Sequence, residues 1–182
     1  MSETNPGTER SDAVPAPDAP AVPVADGEAR AVAALDASGL RYRLVRHGRV
    51  RSLAEAAAAR KVSPSQVIKT MVVRRGDDDY LFVLVPGDRQ ISWPLLREVL
   101  GVSRLSMPDA DVAREVTGFE RGTITPFGST RPWPVVADAR VAGRAVSIGA
   151  GAHGVAATLD GSKMVLALGA TVADITEPEP QG

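Results

Sequence analysis

The chain has no cysteine. Disulfides, thiolate metal sites and a cysteine nucleophile are therefore excluded, and the composition fits a reducing cytoplasm. Aromatic residues make up only 4% of the 182 residues, so Val, Leu, Ile and Ala must fill the core. The two histidines, His47 and His153, are far apart and in no H-x-x-x-H or H-E-x-x-H arrangement. No metal or other cofactor is expected. No apolar run reaches the roughly 18 residues of a membrane helix. No basic stretch leads into an apolar one at the N-terminus, so a signal peptide is not expected either. A serine nucleophile in a G-x-S-x-G elbow is also missing.

Hydrophobic residues make up 44% of the chain, enough for one packed domain. The net charge of −1 hides an asymmetry, because acidic residues crowd both ends and the stretch 29–176 carries an excess of Lys and Arg. A domain of that charge attracts polyanions, although a solvated Arg-rich surface looks the same. Residues 1–26 hold five of the fourteen prolines and hardly any large apolar side chain. Such a segment cannot offset its ordering entropy, so a disordered acidic tail is expected there. Residues 177–182 read as a second tail, leaving a domain over 27–176.

Between the tails, helix and strand signals alternate. Residues 28–38 have helical spacing and Gly39 as a stop. The segment 41–45 alternates like a strand. Ser52 and Glu55 open an Ala-rich helix as a capping box. Residues 67–74 and 80–85 are β-rich runs joined by a hairpin turn at 76–79. Helices are predicted from Ser92 to Gly101, over 109–116 and over 161–168. Strands are predicted at 134–137, 144–148, 155–159 and 171–175. The fold class is mixed α+β, with a largely antiparallel sheet because several strands are hairpin neighbours.

Three stretches stand out chemically. Lys69 lies in the apolar run Val67–Val73, either as an edge lysine that discourages aggregation or as a point charge at a pocket rim. The loop 117–128 concentrates three glycines, three threonines and Pro126, more than one turn needs. Gly122 permits a close backbone approach there, while Ile124 and Phe127 argue against a plain solvated connector. The third stretch, Ser147–Gly154, contains G-x-G but runs on into the strand-like Val155–Leu159. A dinucleotide fingerprint needs a helix at that point, so a tight hairpin with His153 at its tip is the better reading. Asp109 and Asp111 read as first-turn helix acids.

Taken together and in order, Val67-Ile68-Lys69-Thr70, Val85-Pro86-Gly87-Asp88, Thr117-Gly118-Phe119, Gly122–Gly128 and the hairpin 149–154 resemble the YbaK/ProX aminoacyl-tRNA deacylases. That family is related to the editing insertion domain of bacterial prolyl-tRNA synthetase. The resemblance covers about residues 29–176. It implies a curved, mostly antiparallel central sheet flanked by helices. It also implies cytoplasmic, trans-acting hydrolysis of the ester in a mischarged aminoacyl-tRNA. The amino acid would be small, such as alanine or cysteine, and the tRNA that of proline.

In this resemblance Lys69 matches the family's active-site lysine and Gly122 through Pro126 its G-x-x-x-P loop. Catalysis would fall to Lys69 with the N–H groups of Gly122 and Thr123. Substrate would be bounded by Met71, Thr117, Gly118, Ile124, Thr125, Pro126, Phe127, Gly149, Gly151 and His153. The basic stretch Arg41, Arg43, Arg46, Arg49 and Arg51 is the candidate for tRNA phosphates. The implied partners are aminoacyl-tRNA and an aminoacyl-tRNA synthetase, with no membrane and no DNA. The alternatives are a non-catalytic module binding a synthetase, a tRNA end or a nucleotide, and a general small-ester hydrolase.

Overall fold

A computed structural model describes residues 23–180. The elements run α1 (Pro23–Ala37), β1 (Tyr42–Arg46), α2 (Leu53–Arg60), β2 (Val67–Gly76), β3 (Asp79–Pro86), β4 (Arg89–Ile91), α3 (Trp93–Leu100), α4 (Ala110–Thr117), β5 (Val135–Asp138), β6 (Ala145–Gly149), β7 (Val155–Asp160), α5 (Gly161–Ala167), β8 (Thr171–Ala173) and β9 (Thr176–Pro178). Ser52, Ser92 and Gly101 cap as the sequence reading expects, whereas Asp109, read as a first-turn acid, is itself an N-cap, and Gly118 is a further helix stop. Ser52, Ser92 and Asp109 accept hydrogen bonds from the third residue on, and Gly101 and Gly118 end their helices in the left-handed region. At α2 the reciprocal half of the box is displaced by one residue: Glu55 accepts from the Arg51 N–H rather than from that of Ser52.

Seven strands form the main sheet in the order β1-β7-β6-β2-β3-β5-β8. Antiparallel pairing dominates, as expected. The antiparallel ladders β1–β7, β2–β3 and β6–β7 have five, eight and five registered pairs. The parallel ladders β2–β6, β3–β5 and β5–β8 have two, three and three. The segment 149–154 is the predicted hairpin between β6 and β7, closed by the Ala150 N–H donating to the Val155 carbonyl.

β3 is apolar on both faces, which makes it the keel of the sheet. Tyr80, Phe82 and Leu84 enter one core with Leu35 of α1, Val116 of α4 and Met164 of α5. Leu81, Val83 and Val85 enter the opposite core with Leu96 of α3, Ile91 and Ile175. Fully burying side chains of this size contributes roughly 1.5–3 kcal/mol each, so β3 and its neighbour β2 form the rigid centre on which a site can be built.

The ends differ from expectation. α1 starts at Pro23, inside the segment assigned to the N-terminal tail, and the rest of that assignment, residues 1–22, lies outside the described residues. At the other end the chain continues as β9, which pairs antiparallel with β4 over Thr176–Pro178, so ordered backbone runs past the predicted limit at 176. Both short strands escape a sequence reading because three residues carry no periodicity.

Candidate active site

β2 alternates between the two cores. Ile68 and Val72 face the α1–α4–α5 side, while Val73 and Met71 face the α3 side. Lys69 falls in step with Met71 and Val73. Its Nζ donates to the Arg89 carbonyl at 2.6 Å and lies 3.1 Å from a carboxylate oxygen of Glu179. The lysine is thus held by the β4–β9 ribbon.

That ribbon is itself anchored. The Arg89 guanidinium donates to the hydroxyl and carbonyl of Thr176. The Thr176 hydroxyl in turn donates to the fully buried Asp138 at 2.8 Å. Burial alone would raise the Asp138 pKa. The N–H groups of Arg140 and Ile175, the Thr176 hydroxyl and the Arg140 guanidinium outweigh it and hold the carboxyl below its ordinary value.

Beside Lys69 a cavity of about 600 Å³ opens along β2. Its walls bring together Lys69, Met71, Gly122, Ile124 and Gly149 from the predicted set, and add Arg60, Met107, Asp109 and Arg121. A smaller cavity of about 350 Å³ lies on the other side of Lys69, between Trp93, Met107 and Glu179.

The loop 117–128 is shaped by its own hydrogen bonds. Gly122 has φ +86°, as a glycine-dependent turn requires. The N–H and hydroxyl of Thr123 both bond the Glu120 carbonyl, at 2.9 and 2.8 Å. That N–H already has an acceptor, whereas among the described residues the Gly122 N–H has none. Arg30 clamps the loop from α1: it donates to the Gly118 and Gly128 carbonyls at 2.6 and 3.2 Å and covers the Phe119 ring at 4.8 Å.

Other predicted residues fall away from the cavity wall. Thr117 and Thr125 are fully buried: the Thr117 hydroxyl donates to the Ala113 carbonyl of α4 and accepts from the Phe119 N–H, and the Thr125 hydroxyl accepts from the Phe127 N–H. Phe127 belongs to the core. Gly118, Gly151 and His153 border a separate small cleft. His153 is 67% exposed, with Nε2 3.9 Å from a Glu120 oxygen. Pro126, between Thr125 and Phe127 in the chain, is half-buried.

The basic stretch is exposed on the edge strand β1 and the segment after it. Arg46 is ion-paired with Glu28, which raises the pKa of the first and lowers that of the second. Arg41, Arg43, Arg49 and Arg51 have no acidic partner for their side chains among the described residues.

Arg60 is the main residue that the sequence concealed. At the end of an Ala-rich helix it reads as a favourable partner for the helix dipole. Tertiary structure turns it into the cavity wall, where its side chain approaches His47 Nε2 at 3.3 Å and Ser147 Oγ at 3.5 Å. Desolvation lowers its pKa. His47 Nε2 accepts from Arg60 and Nδ1 faces the Gly48 carbonyl at 2.8 Å, so the ring proton belongs on Nδ1.

Residues 47–165 match the aminoacyl-tRNA editing domain family, and the chain belongs to that family. A proline–tRNA ligase of Heliobacterium modesticaldum is 40% identical over 81 residues, 44% of this chain and 14% of the ligase. The corresponding ligase of Bacillus cytotoxicus is 32% identical over 92 residues, 50% of this chain and 16% of the ligase. The chain therefore matches only a small part of these curated relatives. A crystal structure described as a candidate trans-editing enzyme for prolyl tRNA synthetase superposes with a TM-score of 0.75 at 25% identity, covering 83% of this chain and 97% of that one. None of the described helices is long and apolar enough to cross a membrane.

Proposed function

We propose that this protein is a trans-acting, cytoplasmic aminoacyl-tRNA deacylase that removes a small amino acid, alanine or cysteine, from mischarged tRNA for proline. The observation that carries the proposal is the cavity lined by Lys69, Arg60 and Arg121 together with the apolar Met71 and Ile124, beside Gly122, whose N–H has no acceptor among the described residues. Cations suit the terminal phosphate and the apolar pair suits a short side chain. Water adds to the ester carbonyl carbon and the carbonyl electron pair moves onto oxygen. The adduct then expels the ribose oxygen, which leaves with the proton given up by the water. The products are free amino acid and uncharged tRNA.

In this reading Lys69 exchanges Glu179 for the phosphate or the carbonyl of the substrate. The Gly122 N–H meets the developing oxyanion, in which one such donor is worth roughly 3–4 kcal/mol. Thr123, expected as a second donor, instead fixes the turn that aims Gly122. Thr117, Gly118, Thr125, Pro126, Phe127 and Gly151 support the loop from behind. Arg41, Arg43, Arg49 and Arg51 meet phosphates further along the tRNA. Size selection follows from the apolar pair, since one methylene gives only about 1–3 kcal/mol.

The test is deacylation of a panel of mischarged tRNAs by the wild type and by Lys69→Ala. Loss of turnover in the variant supports the mechanism. Saturable binding of the panel without turnover by the wild type replaces it with a binding module, and hydrolysis of free amino-acid esters independent of tRNA replaces it with a general esterase.

A further inference from the structure

β2 has a gap in its pairing. On the side away from β3 it pairs with β6 only through Val67 and Ile68, and next with the isolated partner Ser106 at Arg74. Residues 69–73 between these points have no strand neighbour on that side, a stretch of about 16 Å at the usual rise per residue. The cavity lies there, with Thr70 and Val72 in its wall.

The direction of the backbone groups follows from two independent contacts. Arg74 and Ser106 exchange N–H···O bonds of 2.7 and 3.1 Å, so both Arg74 groups face the gap side. The Phe82 N–H donates to the Pro134 carbonyl at 2.8 Å, away from β2, so its registered partner Val72 also faces away from β3. Residues in an antiparallel ladder alternate. Thr70 and Val72 therefore both direct an N–H and a C=O into the cavity, and among the described residues none of these four groups has a partner outside the ladders. The Thr70 hydroxyl is likewise buried and unpartnered. Unpaired backbone in a strand is a template for something that completes the ladder.

We propose that this edge reads the α-aminoacyl group itself. An α-aminoacyl ester carries one donor, the α-ammonium, and one acceptor, the carbonyl, at the spacing of a single strand residue. Placed opposite Thr70 or Val72, the ammonium donates to that residue's C=O and the ester carbonyl accepts from its N–H, as Ser106 does with Arg74. Ile148 and Ser106 close the gap at both ends, so the occupant is a short one. An antiparallel partner directs its side chain to the same face as the residue it opposes. An L-amino acid would therefore point toward the face of Ile68 and Val72, where Ile124 packs against the core and lines the cavity.

This rests on the ester-hydrolysis reading above, and two measurements separate their failures. The first compares tRNA carrying L-alanine with tRNA carrying propionate, the same size without the α-ammonium, each corrected for spontaneous hydrolysis. Hydrolysis of the propionyl ester is expected to be about 10- to 100-fold slower, the range for losing a hydrogen bond from a charged group. Equal rates overturn the inference and leave the deacylase reading standing. The second follows the amide resonances of Thr70 and Val72 on titration with the non-hydrolysable 3′-deoxy-3′-(L-alanylamino)adenosine and with its propionylamino counterpart. Shifts at either amide with the alanyl compound only support the edge site even if no tRNA is hydrolysed. Binding of the alanyl compound with both amides unmoved overturns it.

Discussion

The two sides of strand β2 are opposites. On the Lys69 side the polar groups form a bonded chain: the ammonium with Arg89 and Glu179, Arg89 with Thr176, and Thr176 with buried Asp138. On the open edge, only one residue further along the strand, backbone groups face the cavity and have no partner outside the ladders among the described residues. The engaged side resembles a positioned cation and the open side a recognition surface. Neighbouring residues of one strand thus divide holding from reading, because alternation sends Lys69's side chain to one face while Thr70's backbone turns to the edge.

The sharpest way to break the comparison is Lys69→Ala. It is expected to cost about 100- to 1,000-fold in deacylation, the scale of one electrostatic group in a catalytic site. Thermal unfolding should hardly move, because the lysine's ion pair is partly solvated, with side chains 31% and 49% exposed. A variant that keeps its activity would place catalysis wholly on the open edge.

Next in size, Asp138→Asn should destabilise the fold by about 3 kcal/mol in chemical denaturation, because it strips an anchored carboxylate from a buried network. The wild type also carries a pH signature. The carboxyl's folded pKa lies below its unfolded value of about 3.9. Its contribution is therefore fully present above that value and is lost as pH falls through the folded pKa. Asp138→Asn should flatten that acid limb. An unchanged limb would mean that the ribbon holding Lys69 is anchored elsewhere.

Glu179→Gln removes the anion that competes with substrate for Lys69. It should raise kcat/KM about two- to fivefold, matching the small worth of a solvent-exposed pair. A fall in activity would make Glu179 a positioning residue instead. His153→Ala should alter activity by less than about twofold, since its contact with Glu120 is long and exposed. A larger loss would move the site toward the hairpin cleft.

Much of this was legible along the chain. Caps, hairpins and the strand that carries Lys69 depend on neighbours within a few residues, and their signals are local. The glycine loop was legible as a loop, since Gly122 needs its left-handed φ. What its donors do was not: Thr123's N–H is spent on Glu120, a bond set by how tightly the turn closes. Arg30, Arg60 and Glu179 were missed for a common reason. Each acts through contacts far away in sequence, with Gly128, Ser147 and Lys69 respectively, and nothing in the local pattern marks them.

By itself the sequence determined the class of fold, the order of its longer elements and the family, because these rest on periodicity, turn chemistry and ordered motifs. Tertiary structure alone decided which way Lys69 points, what restrains it and where β2 stands unpaired. Those depend on strand order and register, which bring together residues that the chain keeps up to 110 positions apart.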